Sequence, residues 1–207
     1  MSRGIFITFE GIDGSGKSTQ ARLLATLMRD YGNEVILTRE PGGSAGAEDI
    51  RQLLVEGNPG RWSPETEILL FTAARRDHLE RTIQPALDLG KVVISDRFVD
   101  STRVYQGVAR AELRSTVDAL HDQMIAREPD LTFIIDMDPE AALARGLARN
   151  SGEDRFEEMG LQFQMDLRAG FLSLAEHYPD RCEIINGNQS PATVSGDIQS
   201  VIEAWIS

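Results

Sequence analysis

Three observations predict an α/β fold in which a five-stranded parallel sheet is flanked by helices. Short apolar runs alternate with longer segments in which apolar residues recur at helical spacing. The first run ends in a glycine-rich loop that opens into a helical segment. The length of 207 residues suits one sizeable core, so we expect a single domain over residues 1–207. The predicted strands are Ile5 to Glu10, Glu34 to Thr38, Val92 to Ser95, Leu131 to Met137 and Glu183 to Ile185.

Seven helical segments separate and follow these strands. Gly32 and Gly90 come directly after two of them and are plausible C-caps, because glycine tolerates the left-handed conformation that often ends a helix. The predicted helices are Lys17 to Tyr31, Ala47 to Glu56, Pro64 to Leu89, Ala111 to Arg127, Pro139 to Asn150, Phe156 to His177 and Pro191 to Ile206.

Composition limits the partners and the compartment. The chain has 21 basic and 33 acidic residues, a net charge of −12, which argues against broad binding to nucleic acid or to an anionic membrane. The single Cys182 cannot form an internal disulfide and fits a reducing compartment. The N-terminus leads straight into a strand, without a signal-peptide pattern. We therefore expect a cytoplasmic protein without a nucleic-acid or membrane partner.

The glycine-rich loop after the first strand carries the strongest chemical signal. It matches G-x-x-x-x-G-K-[ST], in which backbone N–H groups and a helix N-terminus face a phosphate. Lys17 can reach the β- and γ-phosphates, and the Ser18 hydroxyl can ligate Mg²⁺. Only two of the 21 basic residues are lysines, so Lys17 departs from the chain's preference for arginine. The residues predicted to bind a nucleoside triphosphate are Gly11, Ile12, Asp13, Gly14, Ser15, Gly16, Lys17, Ser18 and Thr19, and the resemblance described below makes that nucleotide ATP.

Charged residues also follow the other predicted strands, at the edge where parallel sheets bind ligands. Asp96 ends a buried run and is a candidate for orienting Mg²⁺, and Arg97 beside it could clamp a second phosphate; the alternative is an Asp that caps the next helix. Asp136 ends another run, and for this residue the structural interpretation is favoured. Asp138, which precedes a proline, is typical of a helix N-cap.

The second strand leads into Thr38-Arg39-Glu40-Pro41-Gly42-Gly43, which is either a simple turn or a shaped wall of a substrate site. Arg51 in the next helical segment is either a surface ion-pair partner or a ligand of a substrate phosphate. Both alternatives stay open at this point.

One face of the long third helix combines an aromatic ring with cationic groups. Phe71, Arg75, His78 and Thr82 share a stripe at helical spacing, beside an apolar stripe. Phe71 could stack on a base while Arg75 holds a neighbouring group, although a helical Phe most often belongs to the core.

Arginines also surround the polar loop of residues 150–154. Arg145, Arg149 and Arg155 bracket it, and they either belong to a flap that delivers positive charge to a phosphoryl group or lie on a solvated helical hairpin.

Taken together, these motifs identify a family. The chain resembles the bacterial thymidylate kinases, the ATP-dependent dTMP kinases among the P-loop nucleoside monophosphate kinases, over nearly its whole length. This resemblance implies a five-stranded parallel sheet, Mg²⁺ dependence, a homodimer and a short lid at about residues 145–157. It depends on Phe9-Glu10-Gly11 with the loop to Thr19, Thr38 to Gly43, Leu70-Phe71 through Arg75, Asp96-Arg97-Phe98, Tyr105-Gln106-Gly107 and Asp154-Arg155-Phe156-Glu157.

The resemblance also implies roles for single residues. Phe71 would stack on thymine, Arg75 would hydrogen-bond the base edge, and Asp13 would approach the deoxyribose 3′-hydroxyl. Arg97 would clamp the dTMP phosphate, and Phe98 stands where many members have Tyr or His. Arg39, Arg51, Ser101 and Gln106 would complete the dTMP pocket.

Two types of the family differ in the position of a catalytic arginine. In one type an Arg follows the acid of the phosphate loop, whereas here Asp13 is followed by Gly14. The chain is similar to the other type, in which the lid supplies the charge, so Arg149 and Arg155 join Lys17 and Arg97 as catalytic candidates.

The expected reaction is transfer of the γ-phosphoryl group of ATP to dTMP, giving dTDP, with Mg²⁺ on Ser18 and Asp96. One alternative is a kinase for another nucleoside monophosphate, such as dUMP or CMP, or for a nucleoside. The other is a nucleotide-binding switch without a small acceptor, but a guanine-binding Asn-Lys-x-Asp motif is absent from the sequence.

Overall fold

Five parallel strands form one sheet in the computed structural model, which describes residues 4–56, 61–147 and 159–206. The strand order is β2-β3-β1-β4-β5, so β1 is central and both of its neighbours come later in the chain. The predicted α/β fold and its five strands are confirmed. The strands are β1 Ile5–Glu10, β2 Val35–Arg39, β3 Val92–Asp96, β4 Leu131–Asp136 and β5 Cys182–Asn186.

Helices cover both faces of this sheet. Residues of β1 alternate between two hydrophobic clusters: Ile7 and Phe9 pack with the first and last helices of the chain, whereas Phe6 packs with Phe98 on the opposite face. The helices are α1 Lys17–Asp30, α2 Ala45–Val55, α3 Pro64–His78, α4 Gln84–Asp88, α5 Val99–Ala109, α6 Leu113–Met124, α7 Pro139–Leu147, α8 Gly160–His177 and α9 Pro191–Ile206.

The helix α5 was not expected from the sequence. It begins at Val99. Its N-cap residue is Phe98, whose side chain cannot accept a hydrogen bond from a backbone N–H group. The sequence there contains several β-branched residues and lacks a local start signal, so neither cap nor propensity indicated a helix.

The predicted helix from Pro64 to Leu89 is also more complex than the sequence indicated. It contains a π-helical turn at Leu79–Ile83 between α3 and α4. Gly90 ends this segment as predicted, with positive φ and an N–H that donates to the Leu87 carbonyl. None of the helices in the described ranges combines the length and apolar character needed to cross a membrane.

Candidate active site

A cleft of about 490 Å³ lies at the carboxyl edge of β1, β2 and β3. The parallel register places Asp96 beside Phe9 of β1 and Arg39 of β2, so the polar residues that follow these strands meet there. Its lining includes all eight residues predicted to bind the substrate and both predicted metal ligands. These are Asp13, Arg39, Arg51, Phe71, Arg75, Arg97, Ser101 and Gln106, with Ser18 and Asp96.

The glycine-rich loop forms the floor of the cleft between β1 and α1. Gly11, Gly14 and Gly16 all have positive φ, which glycine adopts without a steric cost. Helix α1 starts directly after Gly16 without a side-chain cap on its N-terminus, a geometry suited to an anion. A Cβ on Gly14 would lie 1.9 Å from the carbonyl oxygen of Ala142, so the fold excludes a side chain at this loop position.

Lys17 extends from the start of α1 along the loop. Its Nζ donates to the Ile12 carbonyl at 2.7 Å and lies 4.0 Å from the Asp13 carboxylate. Burial, with the nearby Arg97 charge, lowers the pKa of Lys17 to about 8. Burial disfavours the charged ammonium group of Lys17. A phosphate anion bound next to Lys17 would stabilise that charged form.

Ser18 and Asp96 come together at the base of the loop, where the Ser18 hydroxyl donates to Asp96 Oδ2. These are hard oxygen donors, the ligands that Mg²⁺ prefers. In the described ranges there is no group of three or more His, Cys, Asp or Glu side chains that could hold a metal ion. The two oxygen donors of Ser18 and Asp96 fit Mg²⁺, which usually takes one or two protein ligands and completes its shell with phosphate and water.

Arg97 lies opposite the loop in a left-handed backbone conformation, with φ 73°. Its guanidinium donates to Asp13 at 2.6 Å, to the Ser101 hydroxyl at 2.7 Å and to the Tyr105 hydroxyl at 3.1 Å. Burial alone would raise the pKa of Asp13, but the charges of Arg97 and Lys17 outweigh it and hold that pKa at about 2. Arg97 is therefore fixed in place next to the loop.

The far wall of the cleft presents Phe71 and Arg75 from helix α3. Arg75 is buried and donates to Glu40 at 2.7 Å and to the Thr102 hydroxyl at 2.9 Å. The rest of the predicted stripe does not line the cleft. His78 is fully buried behind it, 3.0 Å from Glu40 and 2.8 Å from Thr38, so Glu40 joins the two side chains of α3.

Three other predicted pocket residues have polar partners within the protein. Arg39 pairs with Glu48 at 3.1 Å, and Arg51 donates to the Pro41 carbonyl at 2.7 Å. The Gln106 amide lies 3.4 Å from Glu67. Arg51 thus lines the cleft, and its role as a ligand of a substrate phosphate stays a prediction.

The remaining candidates are the arginines of the predicted lid and two acidic residues after β4. Arg149 and Arg155, with most of the predicted lid, fall outside the described residues. Asp136 is engaged by Arg168 at 2.6 and 2.8 Å, in agreement with the structural interpretation. Asp138 caps α7 through the Ala141 N–H, which confirms its predicted role.

Sequence reasoning assigned no role to Tyr105 or Thr102, both of which line the cleft, and considered Glu40 only as part of the candidate substrate wall at residues 38–43. The Tyr105 hydroxyl donates to Asp13 at 2.9 Å and accepts from Arg97. Arg97, Ser101 and Tyr105 recur every four residues, and this spacing would have placed them on one face had a helix been predicted there.

Comparison with known proteins points to one family. The family model described as thymidylate kinase matches residues 9–198. A thymidylate kinase of Dinoroseobacter shibae is 71% identical, with 94% of each chain covered, and one of Ruegeria pomeroyi is 62% identical, with 96% of this chain and 94% of the relative covered. The crystal structure of thymidylate kinase from Ehrlichia chaffeensis superposes with a TM-score of 0.77 at 38% identity, covering 97% of this chain and 99% of the other.

Proposed function

The chain belongs to the thymidylate kinase family, and on that premise we propose that it transfers the γ-phosphoryl group of ATP to dTMP, giving dTDP. One observation carries the proposal beyond the family name: a single cleft joins the phosphate loop to a wall with Arg97, Phe71 and Arg75. A donor phosphate and an acceptor nucleotide can therefore meet inside it.

The nucleophile is a phosphate oxygen of dTMP, whose second pKa of about 6 leaves it largely anionic at neutral pH. The reaction therefore needs no general base. The remaining tasks of the protein are to hold the two phosphates in line and to neutralise the charge between them.

On the donor side, the backbone of residues 11–18 would cradle the ATP phosphates, with Lys17 as the point charge. Ser18 and Asp96 would hold Mg²⁺, which supplies charge neutralisation at the β- and γ-phosphates when bound. This assignment is supported by the hydrogen bond between Ser18 and Asp96 and by the position of both residues at the base of the loop.

On the acceptor side, Arg97 would clamp the dTMP phosphate, because its planar fork suits a phosphate and its guanidinium is already oriented by Asp13. Phe71 would stack on the base and Arg75 would bond its edge, at the wall opposite the loop. Asp13 would approach the 3′-hydroxyl, with Ser101, Gln106, Arg39 and Arg51 around the nucleotide.

We assign the remaining positive charge to Arg149 and Arg155 of a lid at about residues 145–157. A Cβ on Gly14 would clash with the backbone of Ala142, so the loop cannot carry an arginine at this position in this backbone. This exclusion supports the lid as the source of the remaining positive charge. Replacing each lid arginine by alanine and measuring kcat tests the assignment; unchanged turnover in both variants would rule it out.

The assembly we propose is a homodimer in the cytoplasm. Leu69 of α3 is 58% exposed and Met124 of α6 is 47% exposed, and such apolar side chains favour burial against a second copy. The unpaired, buried Cys182 is compatible with a reducing compartment. Light scattering would reveal the dimer as twice the mass of the chain.

An ADP-release assay with ATP and Mg²⁺ tests the reaction, with dTMP, dUMP, CMP, AMP and thymidine as separate acceptors. We expect turnover that requires an acceptor and is fastest with dTMP. Faster turnover with another nucleotide would favour the kinase alternative, and ATP hydrolysis without an acceptor would favour the switch.

Lys17→Ala gives the matched test of the loop. We expect it to lose at least a hundredfold in kcat while it stays folded, because the lysine neutralises charge on the transferring group. Lys91→Ala is the control: Lys91 is the other lysine of the chain and pairs with Glu34 outside the cleft. Near-normal turnover of Lys17→Ala with dTMP would show that the loop assignment is wrong.

A further inference from the structure

The first turn of α5 is capped by a side chain from another element. Phe98 at the N-cap position offers no cap, but Glu10 Oε1 accepts from the Phe98 N–H at 2.8 Å and from the Ser101 N–H at 3.3 Å. Glu10 is the last residue of β1 and directly precedes the phosphate loop. A buried carboxylate thus replaces a local N-cap and satisfies two N–H groups at the positive end of the helix.

The same carboxylate also reaches the candidate phosphate clamp through Ser101. The Ser101 hydroxyl donates to Glu10 Oε2 at 2.5 Å and accepts from Arg97 at 2.7 Å. Because a hydroxyl has one proton, donation to Glu10 leaves its lone pairs directed at Arg97. The chain of contacts runs from β1 through one hydroxyl to the guanidinium.

We propose that Glu10 is a positioning residue for the acceptor phosphate: through Ser101 and the first turn of α5 it holds the Arg97 guanidinium in its clamping orientation. This inference rests on the proposed function, in which Arg97 binds the dTMP phosphate. Glu10 is not among the residues that line the cleft, and its oxygens accept from α5, whereas Asp96 is the carboxylate that contacts Ser18.

The pKa of Glu10 depends on groups of α5 and of the residues just before this helix. Glu10 is fully buried, and its burial, together with the Asp100 charge, raises its pKa to about 7. Arg97, the Ser101 hydroxyl and the Phe98 N–H act in the opposite direction and favour the carboxylate. The groups that Glu10 positions therefore offset part of the cost of burying its charge.

A purely structural cap would make different predictions from a positioning residue. The backbone of Arg97 has its own anchors, since its N–H donates to the Phe9 carbonyl and its carbonyl accepts from the Ser95 hydroxyl at 2.8 Å. Loss of the Glu10 charge should therefore leave the backbone near its place and release mainly the guanidinium. The effect should be specific to dTMP and should spare ATP.

Steady-state kinetics with each substrate varied separately test this inference. Glu10→Gln keeps the shape and an acceptor for the N–H groups, but its amide nitrogen cannot accept the Ser101 proton. We expect its KM for dTMP to rise about ten- to a hundredfold, the range for losing a hydrogen bond to a charged group, while its KM for ATP changes less than about twofold. Glu34→Gln at an exposed site is the matched control and should match the wild type.

Two Ser101 variants decide the case if Glu10→Gln does not fold. Ser101→Ala should raise the KM for dTMP in the same direction, and Ser101→Thr, which keeps the hydroxyl, should restore most of the affinity. Where Glu10→Gln does fold, its effect and that of Ser101→Ala should not multiply in the double variant, because both substitutions break one chain of contacts.

The outcomes separate this inference from the proposed function. A wild type inactive with dTMP would overturn the proposed function and the inference with it. An active wild type whose Glu10→Gln and Ser101→Ala variants keep the KM for dTMP, or lose affinity for ATP and dTMP equally, would overturn the positioning role alone. Multiplying effects in the double variant would also overturn the link through Ser101.

Discussion

Two arginines associated with α5 lie among acidic groups, yet only one of them is open to a ligand. Arg97 precedes the helix, is 15% exposed and, among the residues that the structure describes, pairs with one carboxylate, that of Asp13. Arg103 lies farther along the helix, is 3% exposed and pairs with Asp100, Asp118 and Glu128. Arg97 lines the cleft and Arg103 does not.

In one place the residue is arranged so that a ligand can reach it, and in the other it is enclosed by partners within the fold. Around Arg97, the hydroxyl groups of Ser101 and Tyr105 and a backbone carbonyl accept from most of its donor positions, and Asp13 supplies the direct ion pair. Around Arg103, the acidic partners neutralise the guanidinium. A phosphate is therefore attracted to the first arginine and has no reason to approach the second.

The largest expected effect separates the two arginines by activity. Arg97→Ala should lower kcat/KM for dTMP about a thousandfold or more, because a clamping arginine stabilises charge on the transferring group. Arg103→Ala should stay within about threefold of the wild type at a temperature where it is folded. Equal losses in the two variants, measured in the same ADP-release assay, would contradict the distinction between an open and a closed arginine.

The next largest effect is on stability, where we expect Arg103→Ala to be more damaging than Arg97→Ala. Arg103→Ala should lower the free energy of unfolding by about 3 kcal/mol or more, because it leaves the buried Asp100 without one of its partners. Arg97→Ala should cost less, since the partly exposed Asp13 can be hydrated. Urea unfolding of both variants measures the difference, and a larger loss for Arg97→Ala would refute it.

The smallest effect is a pH dependence at the open pair. The pKa of Asp13 falls from 3.8 to about 2 in the folded state, so its stabilising contribution is present above pH 3.8 and is lost as the pH falls towards 2. The stability difference between wild type and Asp13→Asn should therefore shrink by roughly 1 kcal/mol between about pH 5 and pH 3. A difference that stays constant over this range would show that the pair does not depress the pKa of Asp13.

Elements with local signals were predictable from the sequence. The glycine-rich loop, the apolar strand runs and the Asp138-Pro139 helix start each follow from spacing within a few residues. The polar positions after the strands could be gathered at one edge because parallel strands share a direction. This reasoning placed Asp96, Arg97 and the loop near one another.

Elements whose signal lies far away in the chain were not predictable. Helix α5 was missed because its cap comes from Glu10, 88 positions from Phe98. Tyr105 was missed as a partner of Asp13 because that contact depends on α5 existing at all.

The sequence by itself determined the chemistry of the loop and the order of the strands along the chain, because glycines, a lysine and a hydroxyl at fixed spacing act through the local backbone. Only the tertiary structure decided which charges remain available to a ligand. Whether an arginine is open or closed depends on how many carboxylates the fold brings to it, and at Arg103 these come from α5, α6 and the segment before β4. The spacing of residues along the chain does not reveal how many carboxylates will surround an arginine in the fold.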